Sequence, residues 1–362
     1  MENYLKRILE AALRSPSGDN CQPFRYKIAD SSKIEIHHNE QAGKHFFNSD
    51  NYASLLALGT SIESMMIESR GLGLTPTIQL TKELGSTQIH HWATLQLSKA
   101  EKPIAEDLVG LIDKRWTCRF PFSTEKIPNQ IVRDCKTQVL LTSSKVELHY
   151  EQPMQLEFID FIKKSDLVLW KHQEAAIDLL KKIRFSSNNE SAFGDGMSGF
   201  ELGIKDYEMF LMRFIQAYPS LIPFFYKAGL KHTALRVSEK NYKNSAGLFA
   251  FAIPIDIDPI VGCVEAGRAA LRVWMHLNKL GYVVQPVTPA SMLCFQNRNK
   301  SLTPLMKPEY VTIYNNGTQL WKKYFGVGEN SDVIWALRVG LPLQNIQPHR
   351  SKRLKIEDII MR

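Results

Sequence analysis

Two short segments of this chain concentrate residue types that can bind an anion. The first is Ser15-Pro16-Ser17-Gly18-Asp19-Asn20-Cys21-Gln22-Pro23-Phe24. Its hydroxyls, turn backbone and two carboxamides sit just before a strand pattern, so donors and acceptors converge there. A plain helix-to-strand turn needs the proline and glycine but neither Asn20 nor Gln22. The second is Arg115-Trp116-Thr117-Cys118-Arg119-Phe120-Pro121-Phe122. Arginines four residues apart with a threonine between them, on one helical face, make a phosphate-sized cradle. A solvated basic helix end is the competing account. Between two arginines, Cys118 is either a thiol of lowered pKa or a small packing residue beneath the anion.

Other chemistry is missing. There is no glycine-rich dinucleotide fingerprint, no phosphate loop ending in Gly-Lys-Ser/Thr, no H-E-x-x-H and no G-x-S-x-G. His37-His38 and His90-His91 are neighbours that a strand points to opposite faces, so they make poor metal ligands and are expected at the surface or an edge. Cys21, Cys118, Cys135, Cys263 and Cys294 are odd in number and contain no C-x-x-C pair. No metal site is expected, and a reducing, cytoplasmic location is. The amino terminus shows no signal peptide.

The elements that must position these segments are readable from periodicity. Leu5, Ile8, Leu9, Ala12 and Leu13 predict a helix that stops at the turn formers 15–20. Alternation predicts strands over Phe24–Ile28 and Lys33–His37. A helix over Tyr52–Arg70 ends at Gly71-Leu72-Gly73, and a strand follows at His91–Leu97. A second helix over Val264–Leu280 closes at Gly281, and a late strand runs from Ile334 to Gly340. Setting Gly59 over Gly267, an offset of 208 residues, aligns Leu72-Gly73 with Leu280-Gly281. Ile62, Met65 and Met66 then fall on Ala270, Val273 and Trp274, and Trp335-Ala336 repeats Trp92-Ala93. These repeats predict two related α+β halves, residues 1–110 and 111–362, each laying a long helix on an antiparallel sheet.

At 362 residues, 44% hydrophobic and 23% charged, the chain is an ordinary globular one with room for two domains. Its net charge of +8 suits an anionic ligand but is too diffuse for nucleic acid. The longest uncharged apolar stretch lies within 214–226 and is too short to span a membrane. Residues 206–230 are rich in Phe, Tyr, Met and Leu and have no counterpart in the first half. They are either extra core or an insertion that forms a lid over a site.

Together the two segments resemble motifs of the nitroreductase superfamily of FMN-dependent oxidoreductases. The first is similar to its A-P-S-x-x-N-x-Q-P-[WF] turn and the second to its R-[RW]-[ST]-x-R-x-[PF] phosphate motif. Leu337-Arg338-Val339-Gly340-Leu341-Pro342 resembles its late L-R-x-G-x-P strand, and the basic tail 350–358 its ending. Gly194-Asp195-Gly196-Met197 resembles an Asp-Gly element without an assignable role. The motif order, turn before cradle, looks like a single-chain branch whose two halves imitate the usual homodimer.

The resemblance implies a nitroreductase-like α+β fold and one FMN per chain. Arg115, Thr117, Arg119 and Arg338 would hold the phosphate, and Ser15, Pro16, Ser17, Asn20 and Gln22 the ribityl and ring parts. NADH or NADPH would be the reductant of an unidentified small-molecule acceptor, with no obligatory catalytic side chain. The internal pseudo-dimer makes a monomer possible. An FMN-storing protein without turnover, its lid formed by 206–230, is the alternative.

Overall fold

Apolar residues three and four apart give helix α1, Asn3–Arg14, one buried face of Leu5, Ile8, Leu9 and Ala12. The helix ends where Ser15 turns extended ahead of Pro16. The computed structural model describes residues 2–81, 84–86, 90–102, 105–185, 194–301, 307–343, 346, 348 and 350–361. Strands β1, Phe24–Asp30, and β2, Lys33–His38, form a hairpin whose turn is closed by the Asp30 carboxylate, which accepts from the Ser32 backbone N–H at 2.7 Å. Helix α2, Tyr52–Gly71, leads to β3, Leu74–Leu80, and β4, His91–Lys99. The antiparallel sheet order is β1-β2-β4-β3. Strand β3 escapes periodicity because Pro76 interrupts it. Proline is tolerated there because β3 is an edge strand.

The second half repeats this connectivity. Helix α3, Asn129–Leu140, precedes β5, Glu147–Glu151. After an interruption come β8, Gly247–Pro254; α8, Pro259–Lys279; β9, Val283–Pro286; and, past α9, Thr288–Arg298, and α10, Pro308–Phe325, strand β10, Ser331–Gly340. The antiparallel order is β5-β8-β10-β9, so each sheet receives its long helix between its second and third strands. The interruption sits where the first half has only its hairpin turn. It contains α4, Leu156–Lys171; α5, Gln173–Lys181; the short strands β6, Ile183–Arg184, and β7, Met197–Ser198; α6, Asp206–Ala217; and α7, Lys231–Lys243.

The two long helices cross at the two aligned glycines. A Cβ on Gly59 would lie 2.0 Å from the Val264 carbonyl oxygen, and one on Gly267 would lie 2.2 Å from that of Leu56. Leu56 and Val264 are themselves related by the same 208-residue offset, so the contact is reciprocal, as at a two-fold interface. Nearby, fully buried Glu63 breaks the symmetry: Arg268 Nε and Arg272 Nη1 each reach it at 3.1 Å. Arg272 also binds Glu106 at 2.9 Å and 3.0 Å.

Segment 206–230 is neither wholly core nor wholly surface. Met209, Met212 and Ile215 pack with Leu180, Ile183 and Ile222 in a small separate core. Phe210 and Tyr218, on the other face, are 76% and 55% exposed. His38 departs from the expectation for the paired histidines. Because β2 is an interior strand, the ring is buried, stacks on Trp92 at 3.9 Å and bonds the Ser54 hydroxyl at 3.2 Å. Among the described residues no helix is long and apolar enough to cross a membrane. The cysteines are all free thiols.

Candidate functional site

The turn after α1 is held in an uncommon shape by its own side chains. Asp19, Asn20 and Gln22 have φ of 47°, 55° and 47°, a region that Asp and Asn tolerate better than most residues. The Gln22 backbone N–H donates to Ser17 Oγ at 3.0 Å, and Thr60 of α2 donates to the Pro16 carbonyl at 2.9 Å. Asn20 Nδ2 donates to the carbonyls of Gly196 at 2.8 Å and Lys352 at 2.9 Å. Gln22 Nε2 donates to the Gly194 carbonyl at 2.9 Å, while its Oε1 accepts from the Leu354 backbone at 3.0 Å. The two carboxamides therefore clasp the Gly194-Asp195-Gly196 element and the C-terminal tail. That element, whose role the sequence left open, is a bracket for the turn. Both its glycines have positive φ, and a Cβ on Gly196 would meet the Lys182 carbonyl oxygen at 2.5 Å.

Residues 115–119 form no helix, and Arg115 itself is extended, a correction to the spacing argument. The reason lies in the strand alongside: the Cys118 N–H donates to the Val284 carbonyl at 3.0 Å, tying the segment to β9. Arg115, Thr117 and Arg119 nonetheless all line one cleft. Trp116 and Cys118 join Phe122 and Val283 in a small core. Burial pushes the Cys118 thiol pKa up, so the thiol is a packing residue rather than an activated one.

The resulting cleft is lined by Pro16, Ser17, Asn20, Arg115, Thr117 and Arg119, joined by Arg14, Arg350, Ser351 and Arg353. Five guanidinium groups thus converge. Arg14 is paired with Asp113 at 3.3 Å. Glu201, the buried carboxylate on this wall, already accepts from the Ser198 backbone at 3.0 Å and from Ser351 Oγ at 2.6 Å. Asp19 is taken by His45 at 2.9 Å. Arg115, only 6% exposed, stacks on Trp274 at 4.6 Å and donates from Nη2 to the Arg14 carbonyl at 3.2 Å. Its Nε and Nη1 are buried without a partner, as is Nη1 of Arg119. Burial, with Arg353 beside it, pulls the Arg115 pKa well down, and burial lowers those of Arg119 and Arg353, the last to about 10. Five guanidinium groups outnumber the carboxylates on this wall, Asp19, Asp113 and Glu201, and the unpartnered nitrogens of Arg115 and Arg119 are left over, which is the condition of an anion site.

This cradle opens into a wider space of about 420 Å³ that shares Pro16, Ser17, Asp19, Thr117, Arg119 and Met197 with it. Its walls are largely apolar and come from both halves: Leu56 and Ala57 of α2, Trp274 of α8, Pro286 of β9 and Trp335 of β10, with Lys44, His45 and Lys182 among the polar members. A cationic cradle and a largely apolar cleft together have the chemistry of a phosphate-bearing aromatic cofactor. The orphaned Arg115 and Arg119 nitrogens fit the phosphate end of FMN.

Three expected residues stand apart from the cleft. Arg338 is fully buried beneath it, and its five N–H groups are all used. Nε and Nη2 hold Gln285 Oε1 at 3.0 Å and 2.6 Å, Nη2 holds the Phe120 carbonyl at 2.9 Å, and Nη1 holds the carbonyls of Asn241 and Asn244. It supports the cradle's loop and has no donor left for a phosphate. Ser15 caps α1, its hydroxyl donating to the Ala12 carbonyl at 2.6 Å. Gln22 lies behind the turn. Motif reasoning missed Arg14, Ile112, Asp113 and Glu201 in the cradle and Trp274 with most of the wider walls; Arg14, next to Ser15, carried a local signal. Among the described residues, none of 206–230 lines this cleft, so the expected lid is elsewhere.

No family model matches the chain, and no curated protein matches it. Solved structures do. An FMN-dependent nitroreductase from Clostridium difficile is 12% identical, with 69% of this chain covering 97% of that one at a TM-score of 0.38. A nitroreductase with bound FMN from Desulfitobacterium hafniense is 10% identical, with 72% of this chain covering 99% of that one at 0.37. An FMN-dependent nitroreductase from Mycobacterium smegmatis, in complex with NADPH, is 14% identical, with 68% covering 94% at 0.36. The chain is thus similar, over about seven-tenths of its length, to nitroreductases.

Proposed function

We propose that the chain is an FMN-dependent oxidoreductase of the nitroreductase type, binding one FMN in the cleft between its halves and taking electrons from NADH or NADPH. The observation that carries this reading is buried Arg115 and half-buried Arg119, whose three unpartnered nitrogens lie among five guanidinium groups. Arg115, Thr117 and Arg119 hold the phosphate, and Ser17 and Asn20, whose Oδ1 is also buried and unpartnered, face the adjoining part. When bound, FMN supplies hydride and electron transfer. The protein's share is to neutralise the phosphate, exclude water with the apolar walls and hold the cofactor between the halves. No side chain is assigned an obligatory proton transfer. Free thiols suit the cytoplasm.

Both walls come from one polypeptide, so a monomer suffices. One flavin per chain follows from the broken symmetry. At Met66, the counterpart of Trp274 by the 208-residue offset, Arg268 lies 3.6 Å from the sulfur, but it and Arg272 are already paired with Glu63. The arginines there have carboxylates instead of an open anion site. Storage without turnover loses its structural motive, because 206–230 does not cover the cleft among the described residues.

The experiment is an FMN titration followed by anaerobic NADPH. One equivalent bound and rapid loss of the oxidised flavin absorbance are expected. Absence of FMN binding would sink the reading, and binding without bleaching by NADPH or NADH would leave the storage role.

A further inference from the structure

A second cavity, of about 690 Å³, lies under α6 and α7 and is lined chiefly by leucine, isoleucine, methionine and aromatic side chains. It lies within the size range of small-molecule sites. It shares Arg119, Leu169, Leu179, Leu202, Gln285 and Pro289 with the cleft, and these six residues form a doorway between the two spaces. At its other end the cavity reaches solvent past Leu211 and Val237, which are 41% and 51% exposed. Phe225, on its wall, is the inner member of a chain of rings on the surface. It lies 6.3 Å from Phe214, which is 4.9 Å from Tyr218, and Phe224 is 5.4 Å away. Such an exposed apolar path costs solubility and marks a binding surface rather than a fold requirement.

The polar groups on the wall indicate what enters. The Asp166 carboxylate accepts from Ser238 Oγ at 2.7 Å, and burial pushes its pKa up to about 6. Asn241 Nδ2 donates to the Arg119 carbonyl at 3.2 Å, and Gln285 Oε1 is held by Arg338. Among the described residues, Arg119 Nη1, at the doorway, is the wall's one buried side-chain polar atom without a partner. Glu208 and Arg236 also line the space; Glu208 accepts from the Lys205 backbone N–H at 2.9 Å, and Arg236 is exposed to solvent. The lining cations are thus Arg119, at the doorway, and exposed Arg236, while the Asp166 carboxylate, bonded to a hydroxyl, disfavours an anionic ligand inside.

We propose that this cavity binds an uncharged, hydrocarbon-rich molecule, entering past the surface rings and presenting one end at the doorway. That the molecule is the second substrate rests on the flavin reading above; that it binds does not. The helices that build the cavity belong to the segment inserted between β5 and β8, so this site is an addition to the repeated halves.

The test is binding to the purified full chain, with diphenylhexatriene as the fluorescent probe. Saturable uptake near one per chain is expected, displaced by dodecanol and at least tenfold less well by dodecanoate. Ala234→Trp and Leu230→Trp, which fill the cavity from different sides, are each expected to weaken probe binding at least tenfold. Near-ultraviolet circular dichroism identifies a variant that has lost its fold, and the other then decides. Non-saturable uptake, unchanged affinity in a folded variant, or equal displacement by dodecanoate overturns the proposal. Probe binding in a chain that takes up no FMN supports the cavity and sinks the flavin reading separately.

Discussion

Arg115→Met is expected to weaken flavin binding and spare or raise the stability of the flavin-free chain. In the free protein the guanidinium is buried, makes one hydrogen bond, to the Arg14 carbonyl, and leaves Nε and Nη1 unpartnered. Each unsatisfied buried donor costs about 1–3 kcal/mol, against about 1 kcal/mol for the bond that is lost. Methionine retains most of the volume and can still touch Trp274 through sulfur. The urea midpoint of the flavin-free variant should therefore equal or exceed that of the wild type. With FMN the balance reverses, because the two nitrogens gain charge-assisted bonds worth about 1.5–3 kcal/mol each. Their loss should weaken binding by roughly 3–6 kcal/mol, or about two to four powers of ten. Arg119, with one unpartnered nitrogen, should cost about half as much when changed to alanine. Quenching of flavin fluorescence gives the affinities and urea unfolding the stabilities. A variant that binds FMN like the wild type but unfolds more easily would make Arg115 a structural residue and refute the argument.

Arg338→Met should act the other way: four acceptor groups lose their donor, so unfolding should become easier by about 3 kcal/mol or more, read by urea titration without FMN. Gly267→Ala would set a methyl 2.2 Å from a carbonyl oxygen that no rotamer can move, and a loss of about 1–3 kcal/mol is expected despite alanine's better helix propensity. His38 has its pKa lowered by burial, with His90 adding, to about 4, so the unfolded chain binds the extra proton first as pH falls. Stability should then decline between about pH 6.5 and pH 4, by roughly 3 kcal/mol from this residue, and His38→Phe should flatten that slope in urea midpoints measured across the range.

The repeated framework was legible because its signals are local and periodic. Leu5 to Leu13 specify one helix face, and Gly59 and Gly267 mark close approach at an offset that the structure makes reciprocal. The cradle's residues were legible as a set, although the non-helical path of 115–119 was not, since it depends on a backbone bond to Val284, far along the chain. Arg338 misled for the same reason. Its type and strand position suit an anion, but Gln285, Phe120, Asn241 and Asn244, brought together only by folding, consume its donors. Asn20 and Gln22 were rightly singled out as more than a turn requires. Their partners, at 194–196 and 352–354, lie too far away for spacing to indicate.

Those distant partners also order events during synthesis. The turn at 17–22 emerges from the ribosome early, but its carboxamides wait for Lys352 and Leu354, and the cradle waits for Arg350 and Arg353. The first sheet, complete by Lys99, can fold while translation continues; the site cannot. A nascent chain therefore exposes Arg115 and the turn with their enclosing wall still unmade, and any anion held there escapes readily. Ribosome-stalled chains cut short of residue 350 should carry a folded first sheet and no retained flavin, so that the cleft can keep a cofactor only once residues 350–354 have been made.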